Sequence, residues 1–254
     1  MSVRIRQFLA ALLILAAPAA RADPDALWKI VHRNCVPTFD SGHGSGICAR
    51  VDPAAGWALL KDNSPDKPQQ YLLIPTARIT GIEDPAVLAP HAPNWFADAW
   101  AARGLVALRA GHALGRSRII LAINSPTART QEQLHIHLGC VRPSVRAALA
   151  SRAAMPPDIW SAPDFLYGTH PYRVMRIPGR DLARPTPFQR LAERPPARAD
   201  MGGYALAVVG ARFGAQPGFF LLATAADPER GHPAGAEELM ASACPAPLTP
   251  IVLR

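Results

Sequence analysis

The chain has 254 residues, 49% of them apolar, with 27 Lys and Arg against 19 Asp and Glu for a formal charge of +8. That much apolar material builds a packed core, so wholesale disorder, collagen-like and coiled-coil architectures are excluded. The basic residues are scattered and carry no interleaved aromatic stripe, so no nucleic-acid partner is expected.

Arg4 and Arg6 precede an apolar run from Phe8 to Ala17, and Ala20-Arg21-Ala22 offers a small-x-small site before Asp23. This is the pattern of an export signal cut after Ala22. An uncleaved inner-membrane anchor is the alternative, although the apolar run is shorter than the roughly 18–20 residues that span a bilayer. Removing residues 1–22 leaves 24 basic against 19 acidic residues, a diffuse +5. Residues 23–254 are then expected to form one domain.

Ala26–Val31 reads as a short helix, followed by a Pro/Gly/Ser/His loop between Cys35 and Cys48. Four cysteines in an exported chain read first as two disulfides, and the expected pairing, one of three, is Cys35–Cys48 with Cys140–Cys244. The Ser-Gly-His-Gly-Ser-Gly run inside the first loop does not lead from a strand into a helix, so it reads as turns and not as a phosphate loop. Strands are expected over Gly56–Leu60 and Tyr71–Pro75, joined by a polar stretch. In Asn94–Ala110, Trp95, Phe96, Ala99, Trp100, Leu105 and Leu108 recur at helical spacing, which predicts one helix with that side in the core. Strands follow over Arg118–Ile123 and Leu134–Cys140, then a helix over Arg142–Met155 with Pro143 at its start.

Met155–Arg198 is rich in Pro, Arg and Gly and reads as a loop-dominated excursion, and Tyr204–Ala211 with Gly218–Thr224 as a second hairpin. The two hairpins are alike in sequence, which suggests either a degenerate duplication forming a pseudo-twofold sheet or two unrelated hairpins of shared composition. The class is α+β, mainly antiparallel with flanking helices.

Chemistry concentrates in Asn124–Pro143. On a strand, Leu134, Ile136 and Leu138 take one face while Gln133, His135, His137 and Gly139 take the other, so two imidazoles point into one cleft. Asn124, Ser125, Arg129, Thr130 and Gln131 precede them with hydroxyl, amide and guanidinium groups suited to phosphate. A zinc half-site is the competing reading, and His170 or Asp181 would have to supply a further ligand. His32, His43, His91, His112 and His232 are assigned nothing.

The stretch Gln133–Leu138, with Asn124 eleven and Thr130 five residues before His135, resembles the histidine-triad superfamily, with Gln133 in place of a first histidine. Ordered blocks at Leu27–Val31, Tyr71–Pro85, Pro93–Trp100, Leu121–Thr130, Gln133–Pro143, Pro187–Phe188, Met201–Val209 and Phe219–Thr224 resemble the bacterial CDP-diacylglycerol pyrophosphatase family across nearly all of residues 23–254. The resemblance implies a histidine-triad-like fold, and hydrolysis of CDP-diacylglycerol to CMP and phosphatidate without cofactor or metal. His135 would be the nucleophile on the nucleotide-side phosphorus, with His137 and Thr130 as donors to phosphate and leaving group. Asn124, Gln133, Arg129, Arg78 and His170 would bind substrate. A nucleotidyl transferase, or a non-catalytic nucleotide- or lipid-binding protein, is the alternative. The expected setting is the periplasmic side of the inner membrane, with the lipid nucleotide as partner and the chain a monomer.

Overall fold

A computed structural model describes residues 23–246; the export signal expected over residues 1–22 lies outside the described residues. Among the described residues no helix is long and apolar enough to cross a membrane.

The chain starts with α1 (Ala26–Ile30), which runs through a π-helical turn (Val31–Cys35) into α2 (Val36–Asp40), so the helix continues well past the expected Val31. The Cys35–Cys48 disulfide closes this helix onto a glycine loop in which Gly42, Gly44 and Gly46 all have positive φ, the turn geometry expected of the run. Gly46 (φ +60°) has a second reason to be glycine: a Cβ there would lie 2.6 Å from Asn34 Oδ1. A short strand β1 (Arg50–Asp52) and the expected hairpin β2 (Trp57–Lys61) and β3 (Tyr71–Pro75) follow.

The single helix expected over Asn94–Ala110 is two, α3 (Trp95–Ala101) and α4 (Gly104–Ala110), broken at Ala102-Arg103 next to the poor helix former Gly104. Asn94 caps α3 by accepting from the Ala97 amide. Trp95, Phe96, Ala99 and Trp100 are buried as expected, but the break turns Leu108 outward, where it is 76% exposed. Next come β4 (Ile119–Ile123), β5 (Ile136–Cys140) and α5 (Pro143–Ala150), the last with Pro143 in its first turn as expected.

The excursion is structured. It holds β6 (Phe165–Tyr167), the nine-residue β7 (His170–Pro178), α6 (Pro187–Ala192) and α7 (Pro195–Ala199). Pro171, Arg173, Arg176 and Pro178 mask the alternation of β7 in the sequence, yet Tyr172 and Val174 pack on one face and Met175 and Ile177 on the other. Its hydrogen bonds go to β9 through the register Arg173↔Ala223 to Pro178↔Gly218. Thr186 and Gln189 form a reciprocal capping box that starts α6. The last strands are β8 (Tyr204–Phe213) and β9 (Gln216–Ala225).

All nine strands form one antiparallel sheet in the order β1-β2-β3-β5-β4-β8-β9-β7-β6. Read inward from either side, β2-β3-β5-β4 meets β6-β7-β9-β8 at the β4–β8 pair, so each run of four consecutive strands is arranged alike. In that arrangement β2–β3 corresponds to β6–β7, and not to β8–β9 as the resemblance of the two hairpins suggests. One sheet face packs on α3, α4 and α6 through Trp100, Phe96, Phe188, Leu73, Leu121 and Phe219. The opposite face is covered by α5 and the turn Ala236–Leu239 at one side and by α1 at the other. The candidate cleft opens between those two covers.

Both expected disulfides are present, Cys35–Cys48 and Cys140–Cys244, with sequence separations of 13 and 104. Loop-closure entropy scales with the logarithm of loop length, about 3 kcal/mol for a short loop and nearly 5 for one of a hundred residues. Replacing Cys140 and Cys244 by Ala is therefore expected to lower stability more than replacing Cys35 and Cys48, by about 1–2 kcal/mol, as read from urea midpoints at constant m-value.

Candidate active site

The strand β5 pairs on both edges, with β3 through Leu72↔His137 and with β4 through Ala122↔His137. Its alternation is as the sequence predicts: Leu134, Ile136, Leu138 and Cys140 enter the core on the helix-covered face, and His135 and His137 point into the cleft. The two rings meet edge to face with centroids 5.0 Å apart and are 8% and 5% exposed. The cleft is about 610 Å³, roofed by Leu27 and Ile30 of α1 and Ile47 of the disulfide loop, and floored by the histidines.

His135 Nδ1 lies 2.7 Å from the carbonyl oxygen of Gln133. A carbonyl only accepts, so Nδ1 carries the proton and Nε2 keeps its lone pair. Among the described residues nothing hydrogen-bonds Nε2. Burial, with the neighbouring His137 adding to it, lowers the His135 pKa to about 4, so the ring is neutral at ordinary pH. His137 is also held below the usual imidazole range, first by burial. Its Nε2 lies 3.4 Å from Glu237 Oε2 at an angle that makes no hydrogen bond, and neither ring nitrogen has a hydrogen-bond partner in the described chain. A buried imidazole left this way costs free energy unless a ligand supplies the partner.

The remaining expected residues divide into two groups. Thr130 is exposed on the cleft wall with its hydroxyl free of partners in the described chain, and Asn124 lines the same wall. Asn124 is occupied, however: Oδ1 accepts from the Glu237 amide at 3.1 Å and Nδ2 donates to Glu237 Oε2 at 3.4 Å. Gln133 is fully buried, and its amide nitrogen donates to the carbonyls of Pro75 (3.1 Å) and Ala77 (2.9 Å). It fixes the start of the active strand to the end of β3 and has no donor left for phosphate.

Arg129 lines the cleft, but its guanidinium is 3% exposed and pairs with both oxygens of Glu83 (2.8 and 2.6 Å) and with Glu132 (2.8 Å). Its charge is neutralised inside the protein. Arg78 is outside the cleft lining, paired with Asp25 and placed over the Trp28 ring at 5.5 Å. His170 sits beyond the cleft's outer lip, where Nδ1 meets Glu238 at 2.8 Å and the ring stacks on His232 at 3.8 Å. Ser125 is buried under the carbonyl of Pro233, and Gln131 clamps the start of α1 through the Leu27 amide and the Asp23 carbonyl. Among the described residues no three His, Cys, Asp or Glu side chains converge as a metal-ligand set.

Three cleft residues escape sequence reasoning: Asp62, Lys67 and Glu237. Asp62 and Lys67 lie in the polar connection of the first hairpin, which reads as a linker until β3 is known to pair with β5. Lys67 pairs with Glu237 and lies 3.7 Å from Asp62, and this pairing outweighs burial to keep its pKa above the usual lysine range. Burial alone raises the Glu237 pKa, but His137, Lys67 and Asn124 together bring it below the ordinary carboxylate range. The signal for Glu237 was present in the sequence: a bond from Cys244 to Cys140 brings the residues just before Cys244 to the end of β5.

The family model described as CDP-diacylglycerol pyrophosphatase matches residues 22–247. The chain belongs to the CDP-diacylglycerol pyrophosphatase family. A curated member from Yersinia pestis, named CDP-diacylglycerol pyrophosphatase, is 42% identical over 252 residues, covering 96% of this chain and 95% of the relative. Members of this family are hydrolases, and His135, just before β5, and His137, within it, lie inside the matched span.

The depressed His135 pKa has a stability consequence. Above pH 6.5 the ring is neutral whether folded or unfolded; between 6.5 and about 4 only the unfolded state takes the proton, so acidification favours unfolding. Glu237 acts in the same direction at lower pH, since its lowered pKa contributes stability that is lost as the carboxylate is protonated. His135→Gln is expected to flatten the fall in Tm between pH 6.5 and 4, measured by calorimetry beside the parent protein.

Proposed function

We propose that this chain hydrolyses the pyrophosphate of CDP-diacylglycerol to CMP and phosphatidate, with His135 as nucleophile. The observation that carries the mechanism is the His135 tautomer: Nδ1–H is committed to the Gln133 carbonyl, and Nε2 is unprotonated and unclaimed toward the cleft. Family membership and the close relative support the substrate.

Nε2 attacks the nucleotide-side phosphorus, a P–N bond forms, and the bridging P–O bond breaks with its electron pair going to phosphatidate. In the adduct both ring nitrogens are substituted and the imidazole is cationic, so the hydrogen bond from Nδ1 to the Gln133 carbonyl strengthens as the charge develops. Water then attacks phosphorus, the P–N bond breaks, a water proton passes to solvent and His135 returns neutral. His137 Nε2–H donates to a phosphate oxygen in this scheme, and the Glu237 carboxylate, 3.4 Å away, stabilises positive charge on that ring. Thr130 donates its hydroxyl to the leaving phosphate. Lys67, paired with Glu237, is a cation at the cleft wall beside His137, whereas Arg78 lies outside the cleft and Arg129 is neutralised by Glu83 and Glu132.

The two similar runs of four strands support a histidine-triad-like origin by duplication, with the catalytic strand kept in the first copy. In the second copy the corresponding face of β9 is filled by Phe220 and Leu222, buried in core. The two disulfides support export, because such bonds persist in oxidising compartments. We place the enzyme on the periplasmic side of the inner membrane, acting as a monomer on a lipid nucleotide at the membrane surface.

His135→Ala is expected to lower CMP release from CDP-diacylglycerol by about a thousandfold or more, given that removing a nucleophile leaves only binding and electrostatic catalysis. Alkaline quench of the parent enzyme should trap an alkali-stable, acid-labile phosphorus–nitrogen adduct at His135; undiminished turnover by His135→Ala would disprove the covalent route. Glu237→Gln is expected to cost about tenfold in kcat with a smaller change in KM, since it positions a group that acts in the transition state.

A further inference from the structure

A cavity of about 740 Å³, larger than the cleft of His135, lies apart from it. It lies at the opposite half of the sheet, around the start of β7 and β8 and the end of β9, and Arg173, Arg194, Tyr204, His170 and His232 line it. Four strand steps separate β7 from β5, about 19 Å at roughly 4.8 Å per step, so a phosphate held at His135 is not also in contact with Arg173. The two regions are nonetheless connected: His170 lines both this cavity and the groove bounded by Asn124, Thr130 and Glu237.

Two half-buried arginines on this wall differ from Arg129 and Arg190, whose guanidinium groups meet Glu83 and Asp158. Among the described residues neither Arg173 nor Arg194 has a carboxylate partner; Arg173 donates to the Ser161 carbonyl and Arg194 lies over the Tyr204 ring at 5.7 Å. They are close enough that Arg173, after burial, is the next cause lowering the Arg194 pKa. The acidic groups nearby do not compensate, since Asp227 is taken by Arg230 at 2.8 Å and Glu229 is exposed on the rim. Two unneutralised like charges on one cavity wall are costly when empty and become favourable with an anion between them.

We propose that Arg173 and Arg194 form a second anion site that takes a phosphate group other than the one being cleaved, either on a phospholipid headgroup at the membrane or on a soluble phosphate ester. The site lies outside the His135 machinery and does not depend on the proposed mechanism.

The test is arginine labelling of the purified full chain with phenylglyoxal, followed by peptide mass spectrometry. The arms are inorganic phosphate, phosphatidylcholine vesicles, and the same vesicles containing phosphatidate. Protection of Arg173 and Arg194 by at least about tenfold is expected, the scale of a charge-assisted contact, while exposed Arg50 is labelled equally throughout. Protection by phosphatidate vesicles alone assigns the headgroup, and protection by inorganic phosphate alone assigns a soluble ester. Labelling unchanged in every arm overturns the site. Arg173→Gln combined with Arg194→Gln should weaken binding to phosphatidate vesicles or to phosphate by about tenfold or more, and should leave hydrolysis of a water-soluble CDP ester intact. Loss of that hydrolysis would place the two arginines in the catalytic cleft or the folding core and would equally overturn the proposal.

Discussion

The site depends on one constraint: β5 is hydrogen-bonded on both edges and covered on both faces, so its period-two alternation has no freedom. A slip of one residue would put Ile136 and Leu138 into the cleft and the imidazoles into the core beneath α3. The apolar half of the strand therefore fixes the polar half. Gln133 reinforces this by tying the strand's entry to the carbonyls of Pro75 and Ala77 while its own carbonyl sets the His135 tautomer. One residue thus holds the register and orients the His135 ring.

Electrostatics around the histidines follow from the same burial. The cleft brings together Lys67, Glu237, Asp62 and two imidazoles, and desolvation drives both rings to the neutral state. Lys67 and Glu237 retain their charges because each has the other, and the pair places a fixed dipole beside His137. The overall basic balance of the chain contributes little here. Arg129, which lines the cleft, is consumed in a structural pair, whereas Arg173 and Arg194, at the far end of the sheet, have no carboxylate partner among the described residues.

What was legible in the sequence was local. The alternation of Leu134–Cys140, the aromatic side of Trp95–Trp100, the first hairpin and both disulfides needed only spacing and composition. The errors came from places where tertiary structure overrides local pattern. Strand β7 gave no clear signal because arginines and prolines occupy positions that the sheet's end and the cavity can accommodate, and the helix through Leu108 was one only until Gly104 interrupted it. At the site, residue type alone could not tell a free guanidinium from a paired one. Arg129 has the chemistry of a phosphate ligand, and only the position of Glu83, 46 residues earlier, shows that it is engaged. Asp62 and Lys67 were invisible for the converse reason, since their connection reaches the cleft only through the long-range pairing of β3 with β5.

The Cys140–Cys244 bond joins the end of the active strand to the segment that carries Glu237. Of the cleft residues, Glu237 comes last in the chain, so synthesis delivers the strand, the histidines and Lys67 well before the carboxylate that faces His137. Until the late segment is docked, Lys67 and His137 face an incomplete cleft. Oxidation of two thiols that are 104 positions apart then makes that docking durable. Assembly of the cleft is thereby coupled to disulfide formation, and a copy with reduced Cys140 and Cys244 would hold its cleft less firmly.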